Sequence, residues 1–235
     1  FGPAGWNRLG DDIDGEAADD QSGLPVSLSS DGTIVAIGAP YNDGNGSAAG
    51  HVRVYQYNAS KTEADTDQTS ATFGPAGWNR LGDDIDGEAA GDNSGQSVSL
   101  SSDGTIVCIG ADAYNSGSGV SAGHVRVYQY REFTQIDSDN GTYHYTSRVQ
   151  DATQTKPLII TENTSTAPVV GNSYWTQLGS DIDGEALGDE SGESVSLSSD
   201  GSIVAIGAKF NDGNGDDSGH VRVYQYREFT QIDSD

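Results

Sequence analysis

A unit of about fifty residues occurs three times in this chain and constrains its fold more than any other feature. Each copy opens with W-x-x-L-G-x-D-I-D-G-E-A and continues with S-G-x-x-V-S-L-S-S-D-G-x-I-V-x-I-G-A. A loop rich in Gly, Asn and Asp then leads to G-H-V-R-V-Y-Q-Y. The copies occupy residues 6–57, 78–130 and 175–226. Such repetition predicts one supersecondary unit per copy, with a core shared between neighbouring units.

Each unit is expected to contain four short strands. In the first copy, 26–29 alternates apolar and polar residues, and Ser30-Asp31-Gly32 predicts a tight hairpin turn. The continuously apolar segment 34–39 is typical of a strand covered on both faces, and 51–57 alternates again. The fourth strand is 6–13, with equivalents beginning at Trp78 and Trp175. We therefore predict an all-β fold of tandem four-stranded antiparallel blades, similar to those of a β-propeller.

The completeness of a ring is the open question at this stage. The strand at 6–13 precedes the other strands of its unit, so we expect it to belong to a preceding blade. Three blades are fewer than closed propellers use. Because the chain starts at Phe1 inside the repeated pattern, we interpret it as a piece of a longer protein. Either the first strand seals the last blade, or open edges recruit strands from a neighbouring chain.

The repeats divide the chain into five segments. These are blade repeat 1 (1–57), a polar spacer (58–77), blade repeat 2 (78–130), an insertion or degenerate short blade (131–174), and blade repeat 3 with a terminal strand (175–235). The spacer is rich in Thr, Ser and Asp, as linkers are. The insertion contains three plausible strands, at 143–149, 157–161 and 167–170.

Charge and composition exclude several classes of function. The chain has 11 Lys and Arg against 36 Asp and Glu, a formal charge of −25, which argues against nucleic-acid binding. No apolar run is long enough for insertion into a membrane. The one cysteine, Cys108, occupies the position of Ala36 and Ala205, so we expect a small core residue and no disulfide framework.

The acidic residues that follow each tryptophan are the best candidate site. Nine carboxylates could hold Ca²⁺ through hard oxygen ligands: Asp12, Asp14, Glu16, Asp84, Asp86, Glu88, Asp181, Asp183 and Glu185. The D-x-D-G-E spacing differs from an EF-hand loop, which has glycine at the sixth position. In the alternative interpretation, these carboxylates accept backbone hydrogen bonds in a turn or pair with Arg53, Arg126 and Arg222. No cofactor other than Ca²⁺ is suggested.

Other repeated or motif-like residues favour architecture over catalysis. The histidines His51, His124 and His220, and the tryptophans Trp6, Trp78 and Trp175, occur once per unit, and we expect both sets to pack in the core. The segment 119–123 matches G-x-S-x-G, but a strand follows it, whereas a nucleophile elbow leads into a helix. We therefore expect no enzyme.

Four N-x-S/T sequons are candidates for glycosylation. They begin at Asn45, Asn58, Asn140 and Asn163, all in predicted loops or spacers. The Thr- and Ser-rich pieces 60–72 and 161–166 could carry O-linked sugar. Such modification requires an extracellular location.

The unit resembles the FG-GAP repeats of integrin-α-type β-propellers. The similarity rests on the Asp31-Gly32 turn, the Gly38-Ala39-Pro40 strand end and the Gly-His-Val-Arg-Val-Tyr strand at 50–55. With its D-I-D-G-E-A signature, the unit also looks like repeats of large secreted surface proteins of aquatic microbes. The sequence departs from the family at Ser22-Gly23, where the Phe-Gly pair is missing. It departs again at Ser-Ser-Asp-Gly, which is too short to be the family's calcium loop.

The resemblance implies an extracellular or cell-surface location and a role in adhesion. Together with the repeats, it predicts a non-enzymatic structural or adhesive protein, a subunit of a surface fibre or filament that associates with itself through edge strands. The alternative is a discrete, Ca²⁺-dependent β-propeller module that binds a glycan or a protein.

Overall fold

The computed structural model describes residues 5–113, 121–139, 142–148 and 173–227. In this part of the chain every regular element is a β-strand, and three antiparallel sheets follow one another in sequence. The prediction of an all-β fold is therefore confirmed. Within the same residues no closed barrel or propeller is found, and the sheets form an open series.

The first sheet is built by two repeats. Its strands are β1 (Val26–Leu28), β2 (Ile34–Ala39), β3 (His51–Tyr57), β4 (Trp78–Arg80) and the short β5 (Ile85–Asp86). Both β4 and β5 pair with β3, in the order β1-β2-β3-β4 across the sheet. The tryptophan strand of the second repeat thus completes the sheet of the first repeat, as the sequence predicted.

The second sheet repeats this arrangement. Its strands are β6 (Ser97–Leu100), β7 (Ile106–Ala111), β8 (His124–Asp139), β9 (Thr142–Arg148), β10 (Ser173–Gln177) and β11 (Ile182–Asp183). The tryptophan strand β10 and the short β11 pair with the first part of β8, and β9 pairs with its distal part. The segment 131–174 therefore begins as a two-stranded extension of this sheet. The strands predicted at 157–161 and 167–170 lie outside the described residues.

The third sheet has three strands in the described residues: β12 (Ser191–Leu197), β13 (Ile203–Ala208) and β14 (His220–Gln225). It corresponds to the first three strands of the other two sheets. In the first two sheets, the tryptophan strand pairs with the outer edge of the third strand. The corresponding edge of β14 has no described strand beside it. Residues 6–13, which the sequence predicted as a strand, form no strand in the structure, and no described pairing joins them to this edge. They therefore do not seal the last sheet.

The predicted Asp-Gly turns connect the first two strands of each sheet. In the first sheet the Gly32 amide donates to the Ser29 carbonyl at 2.9 Å, and Gly32 has a positive φ of 71°. The Asp31 carboxylate accepts hydrogen bonds from the Ser29 hydroxyl and the Thr33 amide, which lower its pKa. The same bonds form at Asp103 and Asp200 and fix the turn in all three repeats.

The hydrophobic core lies between consecutive sheets. We define the front face of a sheet by the first-sheet residues Ile34, Ala36, Val52 and Val54 and their equivalents. The rear face is the opposite one, which in the second sheet carries Leu100, Val107, Ile109 and Tyr128. These two sets form one buried cluster, so the front face of the first sheet packs on the rear face of the second. The second and third sheets pack in the same way, around Cys108, Val125, Val204 and Ile206.

Equivalent hydrogen bonds fix the offset between sheets. The Ser27 hydroxyl accepts from the Leu100 amide at 3.0 Å, and the Ser99 hydroxyl accepts from the Leu197 amide at 2.9 Å. Glycines set the spacing, because a β-carbon at Gly38 would overlap the Gly95 carbonyl oxygen in the next repeat. The first and second sheets therefore pack together in the same way as the second and third, with equivalent residues in contact at the same offset.

The polar spacer 58–77 is folded rather than extended. It closes around Lys61, whose ammonium group donates to the carbonyls of Thr72, Gly74 (2.8 Å) and Trp78 (2.7 Å). A bridge between Asp65 and Gly74 holds the loop across its middle. Local hydrogen bonds therefore order a segment whose composition is that of a linker.

Candidate functional site

A cluster of one glutamate, one histidine and one aspartate lies at each described junction between sheets. At the first junction, polar side-chain atoms of Glu16, His51 and Asp84 lie within 4.8 Å of one another. At the second junction, Glu88, His124 and Asp181 meet in the same way. In both cases the repeat that supplies the strand provides Glu and His, and the following repeat provides Asp.

The local fold explains why these residues meet. The histidine begins the third strand of its sheet, and the short strand of the following repeat pairs there, with His51 opposite Asp86 and His124 opposite Asp183. Both histidines are buried. Burial, reinforced by the charge of Arg53, lowers the pKa of His51. Burial and Arg126 lower the pKa of His124 to about 4, so this imidazole is neutral near pH 7.

An arginine accompanies every cluster. Arg53, Arg126 and Arg222 place a guanidinium nitrogen 3.4, 3.7 and 3.6 Å from Glu16, Glu88 and Glu185, respectively. The arginines also donate to the backbone carbonyls of Asp14, Asp86 and Asp183. This is the arginine pairing that the sequence offered as the alternative to calcium. A fixed cation at this distance opposes the binding of a second one.

Three of the remaining predicted calcium ligands have side-chain partners of their own. Asp12 pairs with Arg8 at 3.1 Å on the surface, Asp84 pairs with Arg80 at 2.8 Å, and Asp181 accepts from the Gln177 amide at 2.7 Å. Asp86 is exposed, but partial desolvation, reinforced by the charge of Asp84, raises the pKa of its carboxyl. The nine carboxylates are thus spread over three repeats and do not form one group, and calcium binding stays a prediction.

The third junction is incomplete. Glu185 lies 3.8 Å from His220 Nδ1, as Glu16 lies 3.9 Å from His51, but no described aspartate takes the third place. In the first two clusters that aspartate comes from the next repeat. The third repeat thus presents two members of the cluster at its open edge.

Among the described residues, another group of acids occurs once, and the sequence analysis missed it. Asp112 of the second repeat faces Glu190 and Glu193 of the third, and all three have oxygens within 4.8 Å of one another. Lys209 lies 3.0 and 3.1 Å from the two glutamates. Burial and the shared hydrogen bond with Glu193 raise the pKa of Asp112 to about 7. The available signal was that Asp112 replaces Pro40 of the first repeat.

Apolar residues are exposed at both ends of the series of sheets. On the front face of the third sheet, Val221 and Val223 are 67% and 66% exposed, whereas their equivalents Val52 and Val54 are 0% and 1% exposed. On the rear face of the first sheet, Val26 and Leu28 are 62% and 60% exposed. These faces are the two halves of the interface that is buried inside the chain.

Trp6 does not lie in the core that the sequence predicted for it. Trp78 is 9% exposed, contacts Tyr57 edge-on at 5.3 Å and donates from Nε1 to the Leu9 carbonyl at 3.1 Å. Trp175 is partly buried; its ring contacts Tyr130 at 5.2 Å in a tilted arrangement and donates to the Leu81 carbonyl at 2.7 Å. Trp6 is fully exposed, because no described sheet precedes its repeat and no tyrosine is there to receive it.

The other predicted residues fall on both described and undescribed parts of the chain. Cys108 is buried in the middle of β7, where desolvation raises the pKa of its thiol. Asn45 is exposed, yet its amide donates to the Gly87 carbonyl at 2.7 Å, and Asn58 accepts from the Ser60 amide. The sequons at Asn140 and Asn163 lie outside the described residues.

Comparisons with known proteins assign no family to this chain. No protein-family model matches it, and no curated protein matches it. The part of the chain that the structure describes has no helix of the length and apolarity needed to cross a membrane.

Proposed function

We propose that this chain is a non-enzymatic structural or adhesive repeat protein of the cell surface, whose blade-like units associate from chain to chain into a filament. One observation carries the proposal. The interface that joins the sheets inside the chain has a front half and a rear half, and each half is exposed once, at opposite ends. Contiguous apolar surface of this kind marks interaction sites.

The repeated character of the polar clusters supports a structural role. A Glu–His pair occurs in each of the three repeats. In each repeat an arginine lies beside the glutamate and donates a hydrogen bond to a backbone carbonyl. An active site needs one set of groups, whereas an interface that is used several times needs the same set at every use. The extracellular location rests on the sequons and on the FG-GAP resemblance. The same resemblance is the basis for proposing that the units are incomplete propeller blades.

The alternative function is a calcium-dependent module that binds a glycan or a protein. It is favoured by two groups of carboxylate and imidazole ligands and by the carboxylate group around Asp112. The arginine at each junction, and Lys209 between Glu190 and Glu193, weigh against it, because they already neutralise the carboxylates.

Sedimentation velocity and negative-stain electron microscopy of the 235-residue chain test both functions. We expect concentration-dependent growth into filaments that is the same in calcium and in EDTA. A chain that stays monomeric at every concentration would contradict the proposed function. Compact particles that bind calcium and need it for stability would favour the alternative.

A further inference from the structure

Residues 1–18 and 73–90 have identical sequences, F-G-P-A-G-W-N-R-L-G-D-D-I-D-G-E-A-A. The second of these segments forms β4 and β5 on the edge of β3. The described part of the first, residues 5–18, pairs with no described strand. The equivalent edge, that of β14, lacks a described partner too. Among the described residues, one chain therefore has both a strand donor and a strand acceptor that lack a partner.

We propose that residues 6–14 of a second copy of this chain add to β14 as its fourth strand. This inference rests on the proposed function and deepens it, since it names the segment, the edge and the register. Addition of a strand to an exposed sheet edge is an established mode of recognition, in which backbone hydrogen bonds supply affinity. The sequence identity with residues 73–90 defines the geometry.

The two internal junctions give the register. In the first, Tyr57 lies opposite Trp78, Tyr55 opposite Arg80 and Val52 opposite Ile85. In the second, the corresponding pairs are Tyr130 with Trp175, Tyr128 with Gln177 and Val125 with Ile182. Applied to β14, this register places Trp6, Arg8 and Ile13 of the second copy opposite Tyr226, Tyr224 and Val221.

Side chains on both partners match this register. Trp78 and Trp175 each contact a tyrosine at the end of the acceptor strand and donate to a leucine carbonyl, Leu9 for Trp78 and Leu81 for Trp175. Both positions recur at the open edge, as Tyr226 and Leu178. The exposed Trp6 of the second copy thus finds the two contacts that its equivalents make.

The same placement completes the third polar cluster. Asp84 and Asp181 are the aspartates that join the first two Glu–His pairs, and both follow the Leu-Gly of their tryptophan strand. Their equivalent in the first repeat is Asp12. A second copy in this register brings Asp12 to Glu185 and His220, so the third cluster consists of residues from two chains.

Sheet stacking accompanies strand addition. When residues 6–14 of the second copy lie on β14, its first sheet follows the third sheet as the second follows the first. The exposed front-face residues Val221 and Val223 are then covered by the rear face that carries Val26 and Leu28. Because the contact is head-to-tail, every addition leaves one free donor and one free edge, and growth continues.

Disulfide trapping between two different variants tests the register. The background is Cys108→Ala, which introduces the residue that the other two repeats have at this position. Asn7 and Gln225 are opposite each other in the proposed pairing, as Asn79 and Gln56 are inside the chain. A mixture of Asn7→Cys chains with Gln225→Cys chains should give a covalent heterodimer, because opposed strand residues lie within reach of a disulfide.

The matched control pairs Asn7→Cys with Tyr224→Cys. This pair is one residue out of register, so the two side chains point to opposite faces of the sheet. We expect about tenfold less heterodimer from it. Equal trapping of both pairs, or no trapping by the first, would overturn the proposed register. If a double variant with both Asn7→Cys and Gln225→Cys forms only a bond within one chain, the strand seals its own last sheet and the proposal is wrong.

Substitution of the donor strand separates this inference from the proposed function. Trp6→Ala should weaken association by about 30-fold or more, as loss of a central aromatic anchor does at interfaces. Growth of Trp6→Ala into filaments at the wild-type concentration would refute strand addition and leave the proposed function intact. A wild-type chain that does not associate at all would contradict both.

Discussion

Replacement of Trp78 and of Trp6 by alanine compares one side chain in two identical local sequences. The eighteen residues around each tryptophan are the same, so helix or strand propensity cannot distinguish the variants. Trp78 is 9% exposed, contacts Tyr57 and donates to the Leu9 carbonyl. Trp6 is fully exposed. Any difference in the free energy of unfolding therefore reports the neighbouring sheet.

The magnitude follows from the buried surface. A tryptophan buries about 150–250 Å², which at about 25 cal/mol per Å² corresponds to about 4–6 kcal/mol. Measured Trp→Ala substitutions in cores cost about 3–5 kcal/mol. We expect Trp78→Ala to lower the free energy of unfolding by about 3–5 kcal/mol, and Trp6→Ala to change it by less than about 0.5 kcal/mol.

Urea denaturation followed by circular dichroism measures both variants, at a concentration where sedimentation shows monomers. Midpoints should be compared as well as free energies, because stacked repeats can unfold in more than one step. A loss of stability in Trp6→Ala that equals the loss in Trp78→Ala would refute the reasoning. It would mean that Trp6 is buried within its own chain.

Three further predictions concern buried and bridging groups. Asp112→Asn should stabilise the protein at pH 8 and give no gain near pH 4. The reason is that a carboxyl whose pKa is raised to about 7 destabilises the folded state once it ionises as the pH rises. Thermal melts at both pH values measure the difference. His124, with its pKa lowered to about 4, contributes stability that is complete above about pH 6.5 and is lost, by about 3 kcal/mol, as the pH falls to 4. Urea midpoints of His124→Gln should therefore depend less on pH than those of the wild type, and an unchanged acid limb would count against this. Lys61→Met should accelerate amide hydrogen exchange in 58–77 by about tenfold while the sheets stay protected, and unchanged exchange would show that the ammonium group does not hold the loop.

Strand positions could be predicted well because they depend on local pattern and turns. The strands expected at 34–39 and 51–57 occur at those residues, and the first strand ends one residue early, at Leu28. The tryptophan strand could be assigned to the preceding sheet because it comes first in its unit. Each of these inferences needed only the sequence of a single repeat.

Burial could not be predicted from the same pattern. Leu28 and Leu100 both lie in V-S-L-S-S-D-G, yet Leu28 is 60% exposed and Leu100 is buried. The difference comes from the sheet that precedes Leu100. The error at Trp6 has the same cause, since its neighbour is another repeat and not a local residue.

The candidate sites show a similar division. The pairing of Glu16 with Arg53 could be offered as an alternative because both residues recur in every copy. The group around Asp112 was missed, because it joins two repeats at positions where the copies differ. Its geometry requires the offset between sheets, which the serine hydrogen bonds fix and no periodicity reveals.

The close approach at the glycines has a consequence for how such a chain can change over generations. A β-carbon at Gly38 would collide with Gly95, and one at Gly110 with Gly192, so a single substitution there disturbs two repeats at once. Duplication or loss of a whole repeat leaves these contacts intact, because the new junction again joins a front face to a rear face of the same kind. We therefore expect few substitutions to be tolerated at these glycines, and the number of repeats to change more readily than the residues at their junctions. Near-identity between copies is what that mode of change would leave in the sequence.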